Sequence, residues 1–394
     1  MTTNIELHHG LQALKSSGIN VNNIPHFDWR IESRQRGLLL DKVGNQGACG
    51  VCWAFSSTSV LTDRYIISKK LSGLHLDPLI IIACDKVDKA CMGGSPAGAI
   101  NFLQVWGTGQ TGSKCLSWTN FCNQQSCLKN APTIVSCNSM KYCDQNYKAK
   151  SNSLKFCIVG GKSRREQVNN TVANVKTELM LNGPVIGTYL VYADFMASTG
   201  IGKYASEGAL QKVTGGIYIH GAYDKWLSEN TDTSKFITKL EKEGHAWQGS
   251  FSTTALGGHA VEIVGWGTDY VPNIGNVQYW IVKNSWGDKW NGDGYFKYAM
   301  TCDNKTGKNA IPNISNDMFN NSCGLAEGVL NTTGLQYGAY SMLPDLDYGD
   351  AYGTTFQSPA GFDEDKSSNI QGLLCFIGLV LCILIFRGIY YRKK

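Results

Sequence analysis

Histidine is scarce in this chain: seven residues among 394, with none between His75 and His220. No histidine pair or cluster has the spacing of a metal site, so we expect neither metal nor cofactor. There is no glycine-rich phosphate loop, which removes the common nucleotide-binding motifs, and no repeat period, which removes solenoids and propellers. Charge is also thin, at 17% Asp, Glu, Lys and Arg with a net of +5. The lysines are scattered through polar loops, which reads as solvated surface and not as a nucleic-acid face. Residues 1–24 contain no apolar stretch long enough for a secretory signal.

What the chain does contain is enough apolar material, 43% of its residues, for a large core. It also contains Gln46-Gly47-Ala48-Cys49-Gly50-Val51-Cys52-Trp53. From Trp53 to Ile67 there is no glycine or proline, and Phe55, Ser59, Thr62 and Ile66 recur at helical spacing, so a helix beginning at Cys52 is expected. Free amides and the positive end of the dipole there favour thiolate over thiol. By itself the Cys-x-x-Cys pair fits equally a redox dithiol, half a zinc site or half a disulfide.

Two further blocks narrow the choice. In Gly257-Gly258-His259-Ala260-Val261-Glu262-Ile263-Val264, apolar residues alternate with Glu262 in a strand pattern, and the paired glycines permit close approach of a ligand. His8, His9, His26, His75, His220 and His245 have no comparable frame. Tyr279-Trp280-Ile281-Val282-Lys283-Asn284-Ser285-Trp286 reads as a buried strand ending in Asn284, whose amide can orient an imidazole.

Together the blocks resemble the papain and cathepsin family of cysteine peptidases, where cysteine, histidine and asparagine occur in this order. The likeness extends from Phe27-Asp28-Trp29-Arg30 through Cys91-Met92-Gly93-Gly94 and Asn182-Gly183-Pro184-Val185 to Cys323-Gly324-Leu325-Ala326, covering residues 25–330. It implies an α+β fold of two lobes, one mainly helical and one barrel-like, with a cleft between them. It also implies Cys52 as nucleophile, His259 as base then acid, Asn284 as its orienter and Gln46 as oxyanion donor, with protein or peptide as substrate. Gly93 and Gly94 would lie on the substrate strand, Trp286 would shield the Asn284 contact, and Gly328 would sit at the base of the main specificity pocket. The resemblance pairs Cys49 with Cys91, and Cys84 with one of Cys115, Cys122 or Cys127; a Cys302 to Cys323 bridge is a further expectation. Cysteines this numerous fit an oxidising compartment.

Departures from the family pattern matter too. Val51 stands where the family has serine or alanine, and we expect it to be tolerated. The spacing from Cys52 to His259 exceeds that of the simplest members by roughly sixty residues, placing insertions near 107–161 and 223–252. The first of these lacks histidine and so lacks the imidazole clamp of cathepsin B, which favours an endopeptidase. A catalytically silent papain-like membrane scaffold or binding protein, or an acyl transferase using the same thioester, are the alternatives.

Ile370 to Phe386 is an uncharged, leucine- and isoleucine-rich run followed by the basic tail 387–394, the pattern of a transmembrane helix that anchors the chain in a lipid bilayer. Residues 331–369, rich in glycine, aspartate, serine and tyrosine, read as a solvated stalk. The short leader 1–24 and the missing signal fit a pathogen- or virus-encoded member. The side of the membrane that holds the peptidase, and the oligomeric state, are not encoded in any motif.

Overall fold

The computed structural model describes residues 20–111, 117–125, 127, 131–137, 146–162, 164–200, 208–300, 325–326, 329–330 and 336–346. Its organising element is helix α1 (Cys52–Lys69), which starts where the sequence pattern placed it and ends at Lys70 in the left-handed region. Residues from Trp53 to Ile66 are buried on nearly every face, so the charged Asp63 and Arg64 are buried with them and must find partners. The Arg64 guanidinium meets Glu178 at 3.0 Å and donates to the Pro184 carbonyl at 2.7 Å. Val51, at the entrance to α1, is fully buried in the core, where its branched side chain packs.

One hydrophobic core gathers around α1, Leu79–Cys84 and helix α2 (Pro96–Val105). A second lies between the sheet and helix α3 (Arg164–Asn182). Val168, Val172, Val175 and Leu179 bury one face of α3, and Gly183 at φ +99° followed by Pro184 stops it. Beyond the stop run strands β1 (Val185–Tyr192), β2 (Ala255–Val271), β3 (Gly275–Lys283), β4 (Tyr295–Ala299) and β5 (Ala339–Ser341). Their order in the sheet is β5-β1-β2-β3-β4, all neighbours antiparallel, with Lys155–Phe156 outside β5 and Ile217–Tyr218 parallel to β4. Phe27–Asp28 pairs with β2 at Trp266 and Gly265, where the β2–β3 register shifts.

Several expectations change. Glu262, the charged residue in the alternating pattern of β2, is buried: Lys283, opposite it in the ladder, bridges Glu262 at 3.1 Å and Asp63 at 2.9 Å. Cys49 bonds to Cys91 as expected, but Cys84 bonds to Cys137. Cys122 is unavailable to Cys84 because it closes a short loop with Cys127. Part of the expected stalk is built into the sheet: β5 pairs with β1, and Ala339 and Met342 are fully buried, because this stretch supplies apolar side chains and free backbone groups to an open sheet edge. Gly328, Cys115, Cys302, Cys323, residues 1–19 and the run 370–386 lie outside the described residues. Among the described residues, no helix is long and apolar enough to cross a membrane.

Candidate active site

The ladder of β2 with β3 brings the separate sequence blocks together. Glu262 faces Lys283 where that ladder ends, and just beyond β3 the Trp286 ring comes against His259. The two rings stack at 4.8 Å between centroids with 22° between planes. Tyr189, opposite His259 on β1, adds an edge contact at 5.7 Å. Asn284 Oδ1 lies 2.9 Å from His259 Nε2 and accepts the Ser285 backbone N–H at 2.8 Å. An oxygen already accepting one N–H is matched by an Nε2 that donates, leaving Nδ1 as the basic nitrogen.

The opposite wall comes from the segment before α1. Cys52, the first helical residue, lines a cleft of about 1080 Å³ together with His259, Gln46, Trp286, Gly93 and Gly94. The Gln46 amide is held at both ends, Nε2 donating to the Cys49 carbonyl at 2.8 Å and Oε1 accepting from Ser285 Oγ at 2.6 Å. An NH2 group carries two hydrogens, so one remains for a ligand. The Cys49–Cys91 bridge ties this segment to the Gly93-Gly94 stretch, and Gly50 donates to the Cys91 carbonyl at 3.0 Å. A Cβ on Gly50 would lie 2.6 Å from that oxygen, so only glycine permits the approach. At Gly94 the corresponding clash is with the Trp53 ring, also at 2.6 Å.

Burial sets the electrostatics. It pushes the Cys52 thiol up, against the backbone amides of Ala260, Trp53 and Cys52, which pull the other way. It lowers the His259 imidazole to about 4, opposed by the bond to Asn284. The helix amides act on Cys52 in the expected sense, but desolvation outweighs them, so the expected net lowering of the thiol is not found. A separate cavity of about 470 Å³, lined by Asp41, His75, Asp77, Glu262 and Lys283, includes neither Cys52 nor His259 in its walls.

Sequence reading missed several lining residues. Tyr337 and Tyr340 reach the cleft from the stretch taken as stalk, and Glu243 and His245 reach it from 223–252. No local pattern frames His245, whose place depends on a fold-level excursion. Ser285, which holds Gln46, lay inside a quoted block, but nothing local marked its partner.

A model of the papain family of cysteine proteases matches residues 24–226 and 221–316. Probable cysteine proteinase 361L of Invertebrate iridescent virus 6 is 27% identical over 284 residues, covering 66% of this chain and 50% of the viral protein. Cathepsin B-like CP2 of Giardia intestinalis is 29% identical over 274 residues, covering 69% of this chain and 67% of its own. The chain thus spans half the length of the viral relative. Among solved structures, procathepsin B S9 from Trypanosoma congolense aligns at TM-score 0.45 and 18% identity, over 82% of this chain and 77% of that one.

Proposed function

The chain belongs to the papain family of cysteine proteases, and from that membership we propose that it is a thiol-dependent endopeptidase working through Cys52, His259, Asn284 and Gln46. The observation that carries the reading is the His259–Asn284 hydrogen bond beside the stacked Trp286, in the cleft that also holds Cys52. His259 Nδ1 takes the proton of Cys52 as Sγ attacks the scissile carbonyl carbon. The carbonyl π bond opens to an oxyanion, which accepts hydrogen bonds from the Cys52 backbone N–H and the second Gln46 amide hydrogen. Collapse breaks the C–N bond, and His259 returns its proton to the departing amine. Water then attacks the thioester with His259 again as base, releasing the acid and restoring the thiol.

Asn284 and Trp286 do not touch the reacting atoms in this scheme. Asn284 fixes the tautomer and the ring angle, and Trp286 keeps water from that bond. Losing one oxyanion donor costs about 3 kcal/mol, a rate factor of 100 or more. The test is labelling with an irreversible epoxide inhibitor followed by peptide mapping. Modification at Cys52, lost in Cys52→Ala, supports the scheme; turnover of peptide by Cys52→Ala would refute it.

Attachment to a bilayer through 370–386 belongs to the same proposal. The apolar, uncharged composition of that run supports it. Alkaline carbonate extraction of the full chain checks it: an anchored protein stays in the membrane pellet, and release into the supernatant would refute the anchor.

A further inference from the structure

Tyr189 brings a hydroxyl into the packing beside His259, and the scheme above gives it no task. It lies opposite His259 in the β1–β2 ladder. Alternation along β1 sends its side chain into the sheet-side core, on the other face from Thr188, which lines the cleft. Its ring meets four others, with centroids 5.7 Å from His259, 5.5 Å from Phe195, 6.4 Å from Phe296 and 5.1 Å from Tyr298. Each contact is ring to ring, so phenylalanine would serve the packing as well.

The oxygen is what phenylalanine would lack. Tyr189 is 2% exposed, and its hydroxyl has no hydrogen-bond partner among the described residues. A buried tyrosine ordinarily finds one. Two neighbours in the same core do: Tyr218 donates to Asp194 at 2.9 Å and Tyr223 donates to the Ile217 carbonyl at 2.8 Å. The Tyr189 oxygen has given up water and gained no bond in return, which lowers stability relative to a bare ring.

The groups that face this hydroxyl are few. His259 adjoins it from β2 and Tyr298 from β4. Burial first, then Tyr298, then the charge of a Cys52 thiolate push the phenol well above its ordinary range, so it stays a neutral O–H while close enough to feel Cys52. A hydroxyl with no fixed partner can rotate, and its dipole can follow charge that appears nearby. With water excluded, that dipole acts through a low dielectric. The transfer of a proton from Cys52 to His259 creates such charge, a thiolate beside an imidazolium.

We propose that Tyr189 is a positioning residue for the reaction, its rotatable hydroxyl stabilising the charge-separated state of Cys52 and His259 while lowering the stability of the fold. It exchanges no proton and forms no bond in any step. The inference rests on the peptidase reading above and adds a residue to it.

The test is Y189F, which keeps the ring and removes the oxygen, beside Y189L, which removes the ring as well. Alkylation of Cys52 by iodoacetamide, located by peptide mapping, is followed from pH 4 to 11, together with kcat/KM for a peptide and Tm by circular dichroism. In Y189F, alkylation and kcat/KM near pH 6 to 7 fall about three- to ten-fold. Above pH 10 its alkylation matches the parent, because hydroxide alone then makes the thiolate, and its Tm is unchanged or higher. A Y189F protein that alkylates and cleaves like the parent at neutral pH overturns the proposal. So does a loss that persists above pH 10, or one accompanied by a fall in Tm as large as that of Y189L, since either marks damaged packing. Alkylation needs no turnover: a parent that cleaves no peptide speaks against the peptidase reading, and the pH profile of Cys52 still decides the role of Tyr189.

Discussion

Replacing Lys283 by methionine isolates the buried ion cluster that underlies the candidate site. Lys283 is almost wholly buried and bridges Asp63 at 2.9 Å and Glu262 at 3.1 Å. Burial works to lower its ammonium, but the two carboxylates outweigh that and hold it well above the ordinary range. Asp63 is pushed up, by burial first and by Glu262 second. Glu262 Oε1 already lacks a hydrogen-bond partner. Removing the ammonium leaves two close, buried carboxylates uncompensated, a change that costs about 3–5 kcal/mol. At roughly 2–4 °C per kcal/mol, Tm falls by about 6–20 °C. The sign with pH follows from Asp63. A carboxyl whose folded pKa is raised disfavours folding once the unfolded chain is ionised. The deficit is therefore absent below the ordinary carboxylate range, grows as pH rises from that range towards the elevated folded pKa, and levels off above it. Thermal unfolding followed by circular dichroism from pH 3 to 8 measures it. A K283M protein as stable as the parent at pH 7, or a deficit that shrinks with rising pH, would refute the reasoning.

Other expectations are more direct. Cys52→Ala abolishes amide hydrolysis and leaves the unfolding transition in place, read by peptide turnover and circular dichroism side by side. Asn284→Ala frees the His259 ring and lowers kcat by roughly 10- to 100-fold, with KM nearly constant, as for loss of an outer partner of a working histidine; a change confined to KM contradicts an orienting role. Burial holds His259 at about 4, so the acid limb of kcat/KM has its midpoint near that value and not near 6.5. The same shift makes stability fall as pH drops from 6.5 towards 4, because the unfolded chain takes the proton first. Gly265→Ala places a Cβ 2.1 Å from the Phe27 carbonyl oxygen, breaks the Phe27–Asp28 pairing and destabilises by about 1–3 kcal/mol, measurable by urea titration.

The sequence alone determined the elements with strong local signals. Helix α1 begins at Cys52 because nothing interrupts its pattern, and α3 stops at Gly183-Pro184 because glycine and proline end helices whatever surrounds them. The Cys52, His259 and Asn284 blocks were legible for a similar reason: each has a distinctive neighbourhood within a few residues. Only the tertiary structure decided the rest. Glu262 stands in a strand pattern that names no partner for it, and its burial depends on Lys283, which arrives from β3 and bridges both Glu262 and Asp63 of α1. Burial also set the direction in which Cys52 and His259 are shifted, since the loss of water around them depends on every wall of the cleft at once. Cys84 chose Cys137, Tyr337 entered the cleft, and His245 became a lining residue through contacts between positions far apart in the chain. Local propensity reports what a segment can form, whereas partner choice and desolvation follow from which segments meet.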